Sequence, residues 1–343
     1  MQVFSHDYND RRFRNGSEGC RGKMTCKKRP GHGDSWAKSW HVQAQHRRLP
    51  EQDFGDNHMR TCRAATRLAL TFIALYGTTA MASDITRYVR YSHNDQVHYG
   101  IEEGEQIQTL DGPPWMSGKR TGASVAAADV TLLAPAEPSK VIAVGYNYIS
   151  HREEMTHEEN RPIPEYPPLF LKLPTTITGP NTDVPYPADA TDLHFEGELV
   201  VVIGKTASKV SADEASEYVF GVTAGNDISE RSWQANDLQW FRAKGTDKFG
   251  PLGPAIVTGL NYLDLRVQTR LNGKTMQDQS SIDQIHDIHA VLSYVSQYVT
   301  LYPGDIIYTG TPGATSAMKP GDEVEIEVEG IGVLKNRIVA AED

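Results

Sequence analysis

The stretch HFEGELVVVIG, residues 194–204, combines two closely spaced acidic residues with a continuous aliphatic run. Its length and β-branched content are typical of a buried strand. Side chains at positions i and i+2 of a strand share a face, so Glu196 and Glu198 are expected to project side by side. Two carboxylates that close repel each other unless a cation lies between them or one is protonated. The alternative is an exposed strand face with two solvated glutamates.

A third acidic residue follows in GVTAGNDISERSWQ, residues 221–234. The letters VTAG predict a strand, and Asp227 lies where it ends, just before a run of helical character. The end of a strand is a frequent position for catalytic groups, although aspartate is also common as a helix N-cap. With Glu196 and Glu198 it would complete three carboxylates. Such hard oxygen donors suit Mg²⁺, Mn²⁺ or Ca²⁺ better than zinc.

Two later segments carry lysines and hydroxyl groups. In WFRAKGTDKFGPLGP, residues 240–254, Lys244 and Lys248 flank a glycine turn. A fixed lysine near a metal could hold a substrate carboxylate or stabilise an enolate, but both could also be plain surface lysines. In PGDIIYTGTPGATS, residues 303–316, a predicted strand runs into a Thr/Gly loop. Its hydroxyl and N–H groups could bind an anionic oxygen, although Gly-Thr-Pro is also ordinary turn chemistry.

The segment VGYNYISHREEM, residues 144–155, supplies a candidate acid–base pair. His151 and Glu154 are three residues apart, so one helical turn places them on the same face. The carboxylate could then orient or charge the imidazole. A solvated charged loop is the alternative. Polar loops of this length are often mobile, so we expect a lid at this place.

Short β-branched runs outnumber helical segments and are not spaced as βαβ units, so the sequence predicts a β-rich mixed α/β fold. The runs ITRYVRY and QVHYGI predict a hairpin with its turn near residues 93–95. SADEASEY predicts a helix that starts with a capping box of Ser211 and Glu214. HDIHAVLSYVSQYVT predicts an amphipathic helix. Its apolar face consists of Ile288, Val291, Leu292, Val295 and Val299.

The run LLAPAEPSK contains two prolines and reads as a linker. It predicts a domain boundary near Lys140. We therefore expect a small β-rich N-terminal domain with its linker over residues 83–139, and a larger catalytic domain over residues 140–343.

Residues 1–58 are basic and have no hydrophobic period, which is typical of a disordered or non-native extension. Residues 59–82 follow the pattern of a secretory signal peptide, with arginines, a short apolar run and a small-x-small cleavage site before Ser83. This pattern predicts a periplasmic or secreted protein if translation starts at Met59, and a cytoplasmic one otherwise.

The formal net charge is −10, which argues against a nucleic-acid partner because such partners need a basic face. It leaves room for a small anionic substrate, since a metal ion and a few cations can dominate one pocket. The cysteines are Cys20, Cys26 and Cys62. The main body is therefore expected to use neither a cysteine nucleophile nor disulfides. No membrane association is expected after signal cleavage.

The order of the motifs is more specific than any one of them. Between Thr86 and Val339 the chain carries VGYNYISH, PLFLK, FEGELVVVIG, GNDISER, RAKGTDKFGPLGP, PGDIIYTGTP and IGVLKN. In this order and rough spacing they resemble the fumarylacetoacetate hydrolase family, most closely its bacterial members and acylpyruvase branch. The resemblance implies a β-roll of mixed sheets around a metal site, usually in a homodimer. The chain departs from the family at GATSAMKPGD, which lacks a longer glycine-rich continuation, and in its signal peptide.

The resemblance also implies roles for individual residues. Metal ligands for Mg²⁺ or Mn²⁺ would be Glu196, Glu198 and Asp227. A catalytic pair on a lid, which activates water, would be His151 and Glu154. Polar groups near the substrate or metal would be Lys244, Gln234 and Arg231, and Thr311 would contact the substrate carboxylate.

From these roles we expect metal-assisted hydrolysis of a C–C bond in an acylpyruvate or a related β-diketo acid. The metal would act as a Lewis acid, the His151–Glu154 pair would activate water, and Lys244 would help to stabilise the enolate that leaves. The same site could serve an oxaloacetate decarboxylase, a 2-hydroxymuconate-type isomerase or a ureidoglycolate lyase. A hypothesis of another class is a periplasmic protein that binds a metal or an anion without turnover.

Overall fold

The computed structural model describes residues 84–156 and 162–341, and these residues form nineteen strands and four α-helices. The predicted extension over residues 1–58 and the predicted signal peptide over residues 59–82 lie outside the described residues. The α-helices are α1 (Ile149–Thr156), α2 (Arg231–Asn236), α3 (Phe241–Gly245) and α4 (Ile288–Tyr298). The strands are β1 (Thr86–His93), β2 (Gln96–Glu103), β3 (Gln106–Leu110), β4 (Arg120–Ala126), β5 (Thr131–Leu133), β6 (Val141–Val144), β7 (Leu169–Lys172), β8 (Ile177–Thr178), β9 (Asp183–Tyr186), β10 (Leu193–His194), β11 (Gly197–Ile203), β12 (Val219–Asn226), β13 (Ser229–Glu230), β14 (Gly250–Thr258), β15 (Arg266–Leu271), β16 (Lys274–Ser280), β17 (Ile306–Tyr308), β18 (Glu323–Val328) and β19 (Gly332–Ala340).

Most of these strands belong to two sheets. The larger has the order β4-β3-β2-β1-β14-β12-β11-β17-β6-β7, with β5 paired to β1 and β8 paired to β14. The smaller has the order β16-β15-β18-β19-β9. Most pairs are antiparallel, but β17 pairs with β6 in parallel and β19 pairs with β9 in parallel. The β-rich mixed α/β fold predicted from the sequence is therefore confirmed.

Strand β11 lies at the centre of the core. All seven of its residues are buried, because it pairs with β12 on one side and β17 on the other and is covered on both faces. Leu199 and Val201 belong to the core cluster that includes Ile326 of the smaller sheet. Val200 and Val202 point the other way, into a second cluster. Burial on both faces explains why its sequence is continuously aliphatic rather than alternating.

The N-terminal strands extend the larger sheet. The predicted hairpin is confirmed, with Asn94 and Asp95 at its turn and both at positive φ, 50° and 59°. Two consecutive positive φ values give a tight turn whose twist matches that of the strands. Strand β1 also pairs with β14, so this hairpin and the catalytic motifs share a sheet. The domain boundary near Lys140 stays a prediction.

One predicted helix forms and the other does not. Helix α4 starts at the N-cap Asp287, whose carboxylate accepts from Ala290 N at 2.8 Å, and buries the predicted apolar face. Val299 is the exception, because it follows the helix end. The helix predicted for residues 211–218 is wrong. Ser211 Oγ donates to Glu214 Oε2 at 2.6 Å, but only one short 3₁₀ segment, Ala215–Tyr218, follows before β12 starts.

Among the described residues, the structure contains no helix with the length and apolar character needed to cross a membrane.

The substitution Val201→Ala tests the central position of β11. Removing two buried methyl groups should lower the free energy of unfolding by about 2 kcal/mol, since burial and cavity costs add. Val97→Ala on β2 is the matched control, because Val97 is 53% exposed. Chemical denaturation of both variants checks this, and equal losses would contradict the assignment of β11 to the core.

Candidate active site

Three carboxylates meet where β11 begins and β12 ends. Glu196 directly precedes β11 and Glu198 lies within it, while Asp227 directly follows β12. The register pairs Gly197 with Asn226, and Asp227 N donates to the Glu196 carbonyl at 2.8 Å. One oxygen from each side chain lies within 4.8 Å of the others, and all three side chains are buried. The structure thus brings together the three predicted ligands.

Three cations surround this cluster. Lys244 Nζ donates to Glu196 Oε2 at 2.8 Å and to Asp227 Oδ2 at 2.6 Å. Lys172 Nζ donates to Asp227 Oδ1 at 2.6 Å and to the carbonyl of Lys244 at 2.6 Å. Arg231 Nη1 lies 2.6 Å from Glu196 Oε1. Since both lysines are fully buried, their charges are stabilised chiefly by these carboxylates.

The cations are not shared equally among the carboxylates. Burial would raise the pKa of Glu196, but Lys244 and Arg231 hold this pKa well below its ordinary value. Burial and the repulsion of Asp227 and Glu196 raise the pKa of Glu198 well above its ordinary value. Glu198 Oε2 accepts a hydrogen bond from Gly310 N at 2.7 Å, and within the described part of the chain no cationic side chain pairs with it. A divalent cation beside Glu198 would stabilise its ionised form, and hard carboxylate oxygens are the donors that such ions prefer, so the residues present fit one.

The loop after β17 reaches the cluster through Gly310. Its φ is +103°, and a Cβ there would lie 2.6 Å from Cβ of Asn147. Asn147 holds the loop in place, because its Nδ2 donates to the Thr309 carbonyl at 2.7 Å. Glycine is therefore required at the point where the backbone N–H meets Glu198.

The same loop orients His151. The ring of His151 is buried, and its Nδ1 lies 2.8 Å from the Gly313 carbonyl. A carbonyl only accepts, so Nδ1 carries the proton and the lone pair of the neutral ring is at Nε2. That Nε2 lies 3.9 Å from Glu196 Oε1. Burial lowers the pKa of His151, while Glu196 acts in the opposite direction. His151 therefore presents a lone pair to the carboxylate cluster.

The other predicted residues occupy different places. Glu154 is exposed on α1, and the polar contacts of His151 go to Gly313 and Glu196 instead. Gln234 Oε1 accepts from Arg231 Nη1 at 2.8 Å. Thr311 is buried and donates to the Gly197 carbonyl at 2.9 Å. The catalytic pair and the substrate contacts of these residues stay predictions.

One cavity adjoins the cluster, and a larger one adjoins that cavity. The inner cavity is narrow, about 10 Å³, and is lined by residues that include Gly145, His151, Glu196, Lys244 and Thr311. The outer cavity measures about 410 Å³ and is lined by residues that include Glu154, Asp192, His194, Ala235 and Thr315. Tyr146, Met155, Arg231, Gln234 and Trp240 line both. A ligand of small size can therefore extend from the carboxylates into the outer cavity.

Sequence reasoning missed two members of this site. Lys172 ends the motif PLFLK and His194 begins HFEGELVVVIG, but neither motif by itself assigns a role to these side chains. The lysine at the end of the apolar run LFLK is a signal that could have indicated a buried ion pair, because a lysine in a buried strand needs an opposite charge. No comparable local signal marks His194.

Lys172→Met tests the charge balance. The substitution leaves Asp227 Oδ1 without its buried cation while Lys244 still pairs with Oδ2. The loss of one charge-assisted contact should lower the free energy of unfolding by about 1.5–3 kcal/mol. Lys205→Met is the control, since the Lys205 side chain is 63% exposed. Denaturant titrations in EDTA compare the two, and equal stability of both variants would refute the pairing.

Comparisons with known proteins agree with this geometry. The family model for the fumarylacetoacetate (FAA) hydrolase C-terminal domain matches residues 140–339, and the Rv2993c-like N-terminal model matches residues 86–135. Protein Rv2993c of Mycobacterium tuberculosis is 47% identical over 222 residues, which are 64% of this chain and 82% of that protein. The mitochondrial oxaloacetate tautomerase FAHD2A of Homo sapiens is 39% identical over 224 residues, 62% of this chain and 70% of that protein.

Solved structures extend the comparison. The 5-carboxymethyl-2-hydroxymuconate delta-isomerase from Mycobacterium smegmatis has a TM-score of 0.69 and 42% identity, and covers 74% of this chain and 100% of its own. Maleylpyruvate hydrolase from Sphingobium sp. SYK-6, in complex with manganese(II) and pyruvate, has a TM-score of 0.61 and 25% identity, with 75% and 100% covered. With the family model matched over most of the described chain and the buried carboxylate triad in place, this protein belongs to the fumarylacetoacetate hydrolase family.

Proposed function

We propose that the protein is a divalent-metal-dependent enzyme that transfers a proton on a small anionic 2-oxo acid, as a tautomerase or isomerase does. The observation that carries the proposal is the lone pair of His151 Nε2 beside the carboxylate cluster. A single base in that position can exchange a proton with a carbon next to a ketone.

The metal, Mg²⁺ or Mn²⁺, would be held by Glu196, Glu198 and Asp227. When bound, it would supply the Lewis-acid charge that favours an enolate over the neutral ketone. Lys172 and Lys244 hold Asp227 and Glu196 in place through buried ion pairs. The fully buried setting strengthens these interactions, because little water competes for them.

His151 would carry the proton. Its Nε2 takes a proton from the carbon next to the ketone, and the electron pair of the C–H bond forms the C=C bond of an enolate. Returning that proton to oxygen gives the enol, and returning it to a distant carbon of a conjugated acid gives an isomer. The Gly313 carbonyl stabilises the protonated ring, since it accepts from Nδ1–H throughout.

Proton transfer needs fewer groups than hydrolysis. Hydrolysis by the predicted mechanism requires Glu154 to act with His151 on water, whereas Glu154 is exposed and lines the outer cavity. The names of the tautomerase and isomerase relatives support the same choice. Hydrolysis of an acylpyruvate remains the second candidate, supported by the similarity to maleylpyruvate hydrolase.

Two substitutions separate these candidates. His151→Asn keeps a donor for the Gly313 carbonyl but removes Nε2, so turnover should fall by about 10²–10⁴-fold. Glu154→Gln should leave the rate of proton transfer close to that of the unmodified protein. Loss of enolic oxaloacetate and release of pyruvate from acetylpyruvate are both measured, with Mn²⁺ or Mg²⁺ and with EDTA. If the unmodified protein releases pyruvate from acetylpyruvate and both variants fail to do so, hydrolysis is favoured. Turnover of neither acid, nor of ureidoglycolate, would favour a binding role.

Metal binding is tested separately from turnover. Glu198→Gln removes one carboxylate charge at nearly constant shape, so the affinity for Mn²⁺ should fall at least about tenfold. Glu214→Gln is the control, because Glu214 is exposed and its carboxylate accepts from Ser211 Oγ and not from a group of the cluster. Calorimetric titration with Mn²⁺, and then with Mg²⁺, measures both. Unchanged affinity in Glu198→Gln would exclude Glu198 as a ligand.

A further inference from the structure

A chain of hydrogen bonds runs from the outer cavity to the carboxylate cluster. Asp192 Oδ1 lies 2.9 Å from His194 Nε2, and His194 Nδ1 lies 2.8 Å from Thr315 Oγ1. Arg231 Nη2 donates to the same hydroxyl at 3.0 Å, and Arg231 Nη1 lies 2.6 Å from Glu196 Oε1. Four side chains thus connect the outer cavity with a predicted metal ligand.

The chemistry of these groups gives every bond one direction. A carboxylate only accepts, so His194 Nε2 is the nitrogen that donates to Asp192. In the neutral ring Nδ1 then accepts the hydroxyl hydrogen of Thr315. The hydroxyl oxygen is left to accept from Arg231, which can only donate. His194 therefore determines which way the Thr315 hydroxyl points, and the hydroxyl holds one edge of the guanidinium.

Backbone pairing places the three side chains together. Strand β10 pairs with β13, with His194 opposite Ser229, and Arg231 N donates to the Asp192 carbonyl at 2.9 Å. His194 also forms a bridge with Ala317, two residues after Thr315. The backbone contacts of β10 therefore fix the positions from which these side chains reach one another.

Arg231 retains unused N–H donors, since contacts within the described residues engage three of its five. It is 9% exposed, lines both cavities, and its Nε is buried without a hydrogen-bond partner among the described residues. An unpaired buried donor costs free energy, which a ligand oxygen would recover on binding. Its Nη1 and Nη2 are already held by Glu196, Gln234 and Thr315.

We propose that His194 is a positioning residue: through Thr315 it fixes the Arg231 guanidinium so that an unused N–H of Arg231, whose side chain lines both cavities, donates to an oxygen of the bound 2-oxo acid. The assignment rests on the proposed function for its ligand class. Thr315 and His194 touch neither the predicted metal ligands nor the base, so their loss should act on substrate affinity more than on metal affinity.

Matched substitutions test the hydroxyl. Thr315→Val removes it at constant shape, and Thr315→Ser keeps it. The probe is oxalate, whose adjacent carboxylates copy the planar oxygens of a pyruvate enolate, titrated calorimetrically into the Mn²⁺-loaded protein. Thr315→Val should raise the oxalate Kd about tenfold or more, and Thr315→Ser should leave it within about threefold. The Mn²⁺ Kd should change less than the oxalate Kd in Thr315→Val, because Arg231 also pairs with Glu196, and it should be unchanged in Thr315→Ser.

A second pair tests the imidazole. His194→Asn places an acceptor near the position of Nδ1 and should retain oxalate binding. His194→Gln keeps only a donor towards Asp192 and should weaken oxalate binding. Combining His194→Gln with Thr315→Val should weaken binding no further than Thr315→Val alone, because both act through one contact.

The binding and structural tests of the positioning role do not require turnover. Oxalate binding that is equal in Thr315→Val and Thr315→Ser overturns the proposal, as does an unmodified protein that binds Mn²⁺ but not oxalate. A crystal structure of Thr315→Val gives a ligand-free readout, and Arg231 unmoved from its place beside Glu196 and Gln234 would also overturn it. If the unmodified protein binds oxalate but turns over no oxo acid, the proposed function fails while the positioning role is still judged by the variants.

Discussion

The ion pairing of five buried side chains is the constraint on which the rest of the site depends, and they are Glu196, Asp227, Lys172, Lys244 and Arg231. A charge removed from water costs several kcal/mol unless an opposite charge meets it at short range. The carboxylates come from the junction of β11 with β12, and the cations come from the end of β7 and from α2 and α3. These segments therefore have to converge at one place, and each fixes the position of the others.

Within that cluster the charges are arranged asymmetrically. Lys172 and Lys244 pair with Asp227 and Glu196, whereas Glu198 meets a backbone N–H. Electrostatic demand for a further cation is thus concentrated at Glu198. The lone pair of His151 and the inner cavity lie beside Glu196, so charge stabilisation and proton transfer would act on one small ligand.

The loop that follows β17 links these parts. Gly310 N donates to Glu198, Thr311 to the Gly197 carbonyl, and the Gly313 carbonyl accepts from His151. Thr315, four residues further than Thr311, completes the contact with His194 and Arg231. This loop includes the start of GATSAMKPGD, the segment in which the sequence analysis expects a departure from the family pattern. Its departure therefore bears on the outer cavity, while the contacts to the carboxylates are retained in the part before it.

The sequence by itself determined the features that depend on neighbours along the chain. The aliphatic run of β11, the spacing of Glu196 and Glu198, the turn at Asn94 and Asp95 and the apolar face of α4 follow from local periodicity and turn chemistry. The motif order gave the family. Only the tertiary structure decided that Lys172 reaches Asp227, 55 residues away, and that His194 meets Thr315, 121 residues away. It also decided that Glu154 is exposed and that residues 211–218 do not form an α-helix. Such contacts are set by strand pairing and burial, which bring distant segments together and leave no periodic signal in the sequence.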